Sequence, residues 1–342
     1  MDGKPRLAFI APRVMGSFVR QDAEMLRATF HVTVWQPHGV ASYLRLPRII
    51  QSCDLVLNWF AGRHAVIPSM LATSRGLPVA TVIGGYEVEW IASLSYGIRP
   101  GSRSESFVHQ ILRRSHAILT VSQVTHQHAL DRYSDCAGRM TMIPNGVDTR
   151  RFDYFAGLPR TSVLTVGQIT GQTIELKGLN VFWDAARRTP HREFVAVGPA
   201  VDRAARRFVS LCPPNLRWRG YLDGDALVDE YRRASVYVQP SRHESFSLST
   251  VEAMSCGCIP IVSDCGALPQ VVGDAGVVLT QRTPEAVSDA IEQTFTAGED
   301  ARRAARAWAV NTFDTSRRKS ALIGALVRLL TESPSPDKPG ID

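Results

Sequence analysis

Two glutamates, Glu244 and Glu252, stand with seven residues between them in the run His243-Glu244-Ser245-Phe246-Ser247-Leu248-Ser249-Thr250-Val251-Glu252-Ala253-Met254-Ser255-Cys256-Gly257. Upstream, Tyr237-Val238-Gln239-Pro240 reads as the end of a buried strand that proline stops, so a loop begins at Ser241. The apolar stripe Leu248, Val251, Met254 predicts a short helix that Gly257 ends, and Ile259-Pro260-Ile261-Val262 predicts the next strand. Strand, loop, helix and strand make a βαβ unit. Its loop lies at the strand's carboxyl end, where ligands bind, and the free N–H groups at the helix start favour an anion such as a diphosphate. Carboxylates there accept hydrogen bonds from hydroxyls, so one can hold a sugar and the other a ribose diol. Ser249-Thr250-Val251-Glu252 also fits a capping box, in which Glu252 only reaches back to a backbone N–H. Spacing alone does not choose between these readings.

A second group of residues suits the same chemistry. Val166-Gly167-Gln168 follows a strand-like run, and a glycine there lets backbone approach a ligand closely. Lysine occurs only at positions 4, 177, 319 and 338, and Lys177 precedes the helical run from Leu179. A compact positive charge at that point can steady a departing diphosphate. Asp223-Gly224-Asp225 mimics a metal-binding pair of aspartates, but the helical Ala226–Tyr231 follows it, so a turn and a helix N-cap account for both.

Taken whole, Pro240-Ser241-Arg242-His243-Glu244-Ser245-Phe246-Ser247-Leu248-Ser249-Thr250-Val251-Glu252-Ala253-Met254-Ser255-Cys256-Gly257-Cys258-Ile259-Pro260-Ile261-Val262-Ser263 resembles the E-x7-E segment of the family 4 retaining glycosyltransferases, which have the GT-B fold. Asn145-Gly146-Val147-Asp148 with Phe152 resembles the interdomain signature of that family. The likeness is firm over roughly residues 140–280 and loose in the first 130. It implies metal-independent transfer of a sugar, with retention, from a nucleoside diphosphate sugar to an acceptor hydroxyl on a glycan, a lipid or a secondary metabolite. No cofactor or metal ligand set is implied. Glu244 and Lys177 are the implied catalytic residues, and Glu87 is added to them as the nearest candidate at the acceptor. Gly16, Gly167, Gln168, Arg219, Ser245, Phe246, Ser247, Leu248 and Glu252 are the implied donor-binding residues.

The chain departs from the family pattern at two places. Gln168 stands where many members have an arginine, so a second phosphate-binding cation must come from elsewhere, with Arg20 and Arg242 as candidates, or activity is reduced. Ile83-Gly84-Gly85-Tyr86-Glu87 lacks the histidine that many relatives carry at the reaction centre, which makes Glu87 the nearest group for the acceptor hydroxyl. These departures leave two rivals in view: a sugar-nucleotide epimerase or hydrolase on the same fold, and a protein that binds nucleotide sugar without turnover.

The elements that must carry these residues come in two series. Short apolar runs at Leu7–Ile10, His31–Trp35, Asp54–Leu57, Pro78–Ile83, Ala117–Val121 and Met140–Pro144 alternate with helical stretches. A second set follows at Ser162–Gly167, Glu193–Gly198, Leu216–Arg219, Val236–Val238, Ile259–Val262 and Gly276–Leu279. Continuous apolar runs suit parallel sheets covered on both faces. The expectation is an α/β chain of GT-B architecture: two Rossmann-like domains whose parallel sheets face across a cleft. The acceptor domain is residues 1–148, the donor domain 149–315, a C-terminal helix 316–332 packs back on the first domain, and 333–342 is a disordered tail. With 44% hydrophobic and 21% charged residues and no stretch of eighteen apolar residues, a cytoplasmic protein is expected. A net charge of +7 implies affinity for anions, but no zinc finger, RNP motif or aromatic-laced basic helix supports nucleic acid as the partner. The amphipathic run Phe107–His116 leaves a peripheral contact with the inner face of a membrane open. The oligomeric state is not legible. The six cysteines show neither zinc spacing nor disulfide density, so reduced thiols are expected.

Overall fold

The computed structural model describes residues 3–332, so the tail expected over 333–342 lies outside the described residues. Two compact units divide the chain, one taking in the residues up to Asn145 together with those from Ser316 onward, the other Gly146–Thr315.

In the first unit, strands β1 (Arg6–Ile10), β2 (His31–Trp35), β3 (Leu55–Trp59), β4 (Val79–Ile83), β7 (Ala117–Thr120) and β8 (Met140–Met142) form a parallel sheet in the order β2-β1-β3-β4-β7-β8. Every residue of β3 and β4 is buried, which is why these strands read as unbroken apolar runs rather than as alternating ones. A two-stranded hairpin, β5 (Trp90–Ile91) and β6 (Tyr96–Gly97), is inserted after β4. Strands of two residues carry no periodicity, so nothing in the sequence marks them. Gly97 turns there at φ 95°, with no room for a Cβ, which would lie 2.1 Å from the Glu89 carbonyl oxygen. The helix Arg103–Arg114 buries Val108, Ile111 and Leu112 in a core with Ile83 and Ile118. Its apolar face is therefore occupied by the fold, and Arg103, Ser106, Gln110 and Arg113 are its exposed residues.

In the second unit, β9 (Ser162–Val166), β10 (Glu193–Val197), β11 (Leu216–Trp218), β12 (Ala234–Gln239), β13 (Ile259–Ser263) and β14 (Val277–Leu279) form a parallel sheet in the order β11-β10-β9-β12-β13-β14. The chain runs outward from β9 to one side, then restarts at β12 on the other. The switch point thus lies between β9 and β12, at whose carboxyl ends a crevice opens. The segment between Gln168 and Lys177 carries the helix Gly171–Leu176, whose start is held by a reciprocal bond between Thr170 and Thr173. A capping pair of two threonines lies outside the usual Ser/Thr-to-Glu/Gln pattern, so the helix start carried no recognised sequence signal.

Helix Thr315–Glu332 is tied to the first unit by a buried charge. Arg318 Nη2 and Nε lie 2.6 and 2.7 Å from the two carboxylate oxygens of Asp22, and Nη1 donates to the carbonyls of Ile143 and Pro144 at 3.0 Å. The Trp59 indole N–H completes the set, donating to Asp22 at 2.8 Å. Both charged side chains are sealed from water, at 4% and 1% exposure. Removing one partner leaves the other charge buried and alone, so Arg318→Ala is expected to cost on the order of 3–5 kcal/mol. The paired change Asp22→Asn with Arg318→Met, which leaves no uncompensated charge, is expected to cost less. Urea unfolding of the two variants measures this, and an equal loss in both would contradict it.

Candidate active site

The centre of the second unit's site is an ion pair at the switch point. Lys177 Nζ lies 2.9 Å from Glu244 Oε1, with the two side chains 25% and 12% exposed. The same oxygen accepts from Gln239 Nε2 and from Ser241 Oγ, each at 3.1 Å. Gln239 is the last residue of β12, and its amide oxygen accepts from the Tyr237 hydroxyl at 2.8 Å. One carboxylate oxygen of Glu244 is therefore saturated by three donors. The other, Oε2, has no protein partner among the described residues and is not sealed from solvent, so it is free to accept from a ligand.

Backbone close to contact fixes this arrangement. Lys177 ends the helix Gly171–Leu176, and Gly178 then turns at φ 66° with no space for a Cβ, which would sit 1.9 Å from the Pro240 carbonyl oxygen. Lys177 thus follows one helix rather than simply opening the next, and the carbonyl end of a helix favours its charge. Gly266, at φ 56°, lets Glu244 backbone pass at a point where a Cβ would be 2.3 Å away, and Ala267 N–H donates to the Glu244 carbonyl at 2.8 Å. The Lys177 side chain lies along Gly167 at the end of β9, with Cδ 3.4 Å from where a Cβ would stand.

Helix Leu248–Ser255 begins at Ser247, which takes a left-handed φ of 80° and gives no side-chain cap; its hydroxyl is bonded instead to that of Thr250 at 2.8 Å. Such a conformation in a serine is strained and is found where function asks for it. It leaves the first N–H groups of the helix to be satisfied by a ligand, and an anion suits them best. Ser249 is not a cap. Its hydroxyl is bonded to that of Tyr237 at 2.8 Å, and the capping-box reading of Glu252 is replaced by another contact: Glu252 Oε2 accepts from the Tyr231 hydroxyl at 2.8 Å. Burial raises the Glu252 carboxyl above the usual glutamate range, while the Tyr231 hydroxyl and the charge of Arg151 pull it back. Its second oxygen is not sealed from solvent.

The remaining expected residues scatter. Ser245 is partly buried and Leu248 opens the helix, both within the Glu244–Glu252 loop. Phe246 is buried edge-on against Phe313, with ring centroids 5.4 Å apart, so its side chain anchors the loop. Arg219 pairs with buried Glu230 at 3.3 Å and does not join the Lys177 cluster. Gln168 is exposed, its carbonyl accepting from the Thr173 hydroxyl at 2.9 Å. Arg242, the suggested substitute cation, is engaged by Glu175. A further arginine, Arg282, has its Nη1 3.5 Å from the Pro240 carbonyl, and burial, with the nearby charge of Arg242, lowers its pKa. No motif pointed to it. Gln239 and Ser241 were missed too, although a glutamine ending an apolar strand is a visible signal.

In the first unit, Gly16 opens helix Ser17–Leu26 without a side-chain cap, and Arg20 Nη2 donates to the Met15 carbonyl at 3.0 Å. Glu87 is 3% exposed and accepts from the N–H groups of Ala61, Gly84 and Gly85 at 3.2, 3.5 and 3.1 Å. Burial raises its carboxyl and these N–H donors lower it. This carboxylate chiefly braces the turns after β3 and β4. The trio His109, Asp135 and Cys136 has ligand atoms close enough for a metal, but Arg113 Nε already donates to Asp135 at 2.9 Å, which disfavours a cation.

A βαβ sheet with a lysine–carboxylate pair and an uncapped helix start at its switch point, joined to a second unit of like design, defines the GT-B class of fold. Solved structures share it: a glycosyltransferase from Rickettsia africae superposes with a TM-score of 0.77 over 97% of this chain and 100% of that one at 16% identity. Anabaena HepE in complex with UDP-glucose gives 0.74 over 95% and 100% at 14% identity. Residues 8–151 match the family described as "Glycosyltransferase Family 4" and residues 160–297 that described as "Glycosyl transferases group 1", so the chain carries both domains of a family 4 type glycosyltransferase. Among curated relatives, the O-antigen chain mannosyltransferase B of Escherichia coli is 40% identical over 80 residues, 23% of this chain and 21% of that protein. The glycogen synthase of Mycobacterium tuberculosis is 26% identical over 208 residues, 58% and 50% of the two. The matched stretch thus takes in half or less of each relative's length.

The raised Glu252 carboxyl yields a signed expectation. A carboxyl raised by folding contributes stability below its unfolded value and loses it as pH climbs through the folded value, so ionised Glu252 destabilises the empty protein at neutral pH. Glu252→Gln is expected to unfold at the same temperature or higher at neutral pH, with the difference from wild type vanishing in acid, while nucleoside diphosphate affinity falls. A lower melting temperature with unchanged affinity would show Glu252 to be structural only.

Proposed function

We propose that the second unit binds a nucleoside diphosphate sugar, that the first binds the acceptor, and that the protein transfers the sugar to an acceptor hydroxyl with retention and without a metal. The observation that carries this reading is the Lys177–Glu244 pair, 2.9 Å apart, beside an uncapped helix start. Lys177 Nζ and the helix N–H groups offer positive charge where a diphosphate needs it, in the role a divalent cation fills elsewhere. Glu244 Oε2 accepts from a hydroxyl of the transferred sugar, and Glu252 from the ribose diol. The reported complex of Anabaena HepE with UDP-glucose supports this class of donor.

The chemistry follows from these placements. As the bond from the anomeric carbon to the diphosphate oxygen lengthens, negative charge grows on the leaving oxygens and the pull of Lys177 on them grows with it. The interaction is therefore stronger in the transition state than in the ground state, which is what lowers a barrier. The acceptor oxygen enters on the face the diphosphate leaves, giving retention, and its proton passes to a leaving phosphate oxygen. Glu244, already saturated on Oε1 by three donors, positions the sugar rather than attacking it.

Lys177→Ala is expected to lower turnover by about a hundredfold or more, with a smaller change in KM for the donor. Release of nucleoside diphosphate from a panel of UDP, GDP and ADP sugars, with and without acceptor extracts, measures this. Tight binding of a nucleoside diphosphate with no donor consumed under any acceptor would overturn the transfer reading.

A further inference from the structure

The first unit contains a pocket of about 600 Å³ at the carboxyl ends of β3 and β4, where the hairpin folds over the sheet edge. Its walls are mainly apolar: Phe60, Tyr86, Trp90 and Ile98, with Arg63 and Arg99 among the lining. From this pocket we infer that the acceptor is an amphiphilic anion, an apolar chain or ring carrying a phosphate near the hydroxyl that receives the sugar. The inference rests on the transferase reading above and specifies its acceptor.

Three features of the lining favour this ligand over a plain sugar. First, the carboxylate in the lining that would accept from a polyol's hydroxyls, Glu87, already accepts three backbone N–H groups. Second, neither arginine has a carboxylate within ion-pair distance among the described residues. Arg63 lies 5.5 Å from the centre of the Phe107 ring, and Arg99 is exposed. Two cations without counter-charges beside an apolar wall match a ligand with one anionic and one apolar part. Third, Tyr86 is 50% exposed and packs edge-on with Tyr96, which leaves an aromatic surface uncovered by the protein.

The pocket is also built rigidly. Phe60 takes a left-handed φ of 69°, which carries its ring over Gly84, where a Cβ would clash at 2.3 Å. The hairpin behind Trp90 is held by Arg132, which donates to the Ile98 carbonyl at 2.7 Å and pairs with Glu105 at 2.6 Å, and by His128, whose Nδ1 lies 2.8 Å from Glu89. A strained aromatic and a braced hairpin keep the apolar wall in place before the ligand arrives, which lowers the entropy lost on binding.

Calorimetry on the full chain tests the inference, with octyl phosphate, octanol and inorganic phosphate as probes and UDP, GDP and ADP as controls for the second unit. Octyl phosphate is expected to bind at least tenfold more tightly than either fragment. In the double variant Arg63→Ala, Arg99→Ala it falls to the level of octanol, and in Trp90→Ala both octyl ligands weaken, with nucleoside diphosphate affinity unchanged in each. Vesicles of phosphatidylcholine with phosphatidic acid separate the sources of the anion. Binding to both octyl phosphate and vesicles indicates a membrane lipid, and binding to octyl phosphate alone a soluble amphiphile. Inorganic phosphate or octanol binding as well as octyl phosphate would overturn the inference, as would vesicle binding alone. Failure of octyl phosphate with nucleoside diphosphate binding intact defeats this inference and spares the transferase reading, whereas loss of nucleoside diphosphate binding in the unaltered protein counts against the latter.

Discussion

A charge pair half withdrawn from water, Lys177 with Glu244, is the interaction on which the second unit's site depends. A buried ion costs desolvation energy unless its remaining valences are satisfied. The chain meets that condition by spending the end of a core strand on it: Tyr237 fixes Gln239, and Gln239 and Ser241 both donate to the carboxylate oxygen that Lys177 holds. A strand-end residue that packing alone would make apolar is thus a glutamine. The pair is neutral as a unit, and it presents one accessible carboxylate oxygen and one ammonium group at the same edge. Positive charge for a phosphate and an acceptor for a hydroxyl stand side by side before any ligand enters, so little reorganisation is needed when it does.

Glycines at close approaches make this placement possible. Gly178 against Pro240 and Gly266 against Glu244 turn with positive φ where no other residue fits without displacing backbone. The strained Ser247 is the counterpart on the helix side. The first unit follows a related logic with different materials: a buried carboxylate, Glu87, gathers the N–H groups of two turns, and a left-handed Phe60 sets an aromatic wall over a glycine. Polar order builds the site of the second unit and apolar shape the pocket of the first, on two sheets of similar topology.

Much of this was legible in the chain. Strand positions were readable because parallel strands buried on both faces leave unbroken apolar runs, and the wholly buried β4 at Val79–Ile83 fell within the expected Pro78–Ile83. Glu244, Lys177 and Gly167 were legible because chemistry confines such residues to strand and helix ends. Glu252 stood out as a candidate, but its support was not legible, since its partner Tyr231 lies on a different helix and no local spacing reveals it. The tertiary contacts of Arg219 with Glu230 and of Phe246 with Phe313 were not legible, because their partners lie far along the chain or on another element. The hairpin at Trp90–Gly97 in the first unit and Arg282 beside Pro240 in the second were not legible, because two-residue strands have no period and a lone arginine has no motif.

The central claim is that Lys177 and Glu244 form a preorganised centre for a sugar diphosphate. A crystal structure of the protein with a nucleoside diphosphate tests it most directly. The account predicts a phosphate oxygen within about 4 Å of Lys177 Nζ, further phosphate oxygens on the N–H groups that open helix Leu248–Ser255, and the ribose hydroxyls on Glu252. A nucleotide bound elsewhere, with the Lys177–Glu244 pair and the helix start untouched, would contradict it.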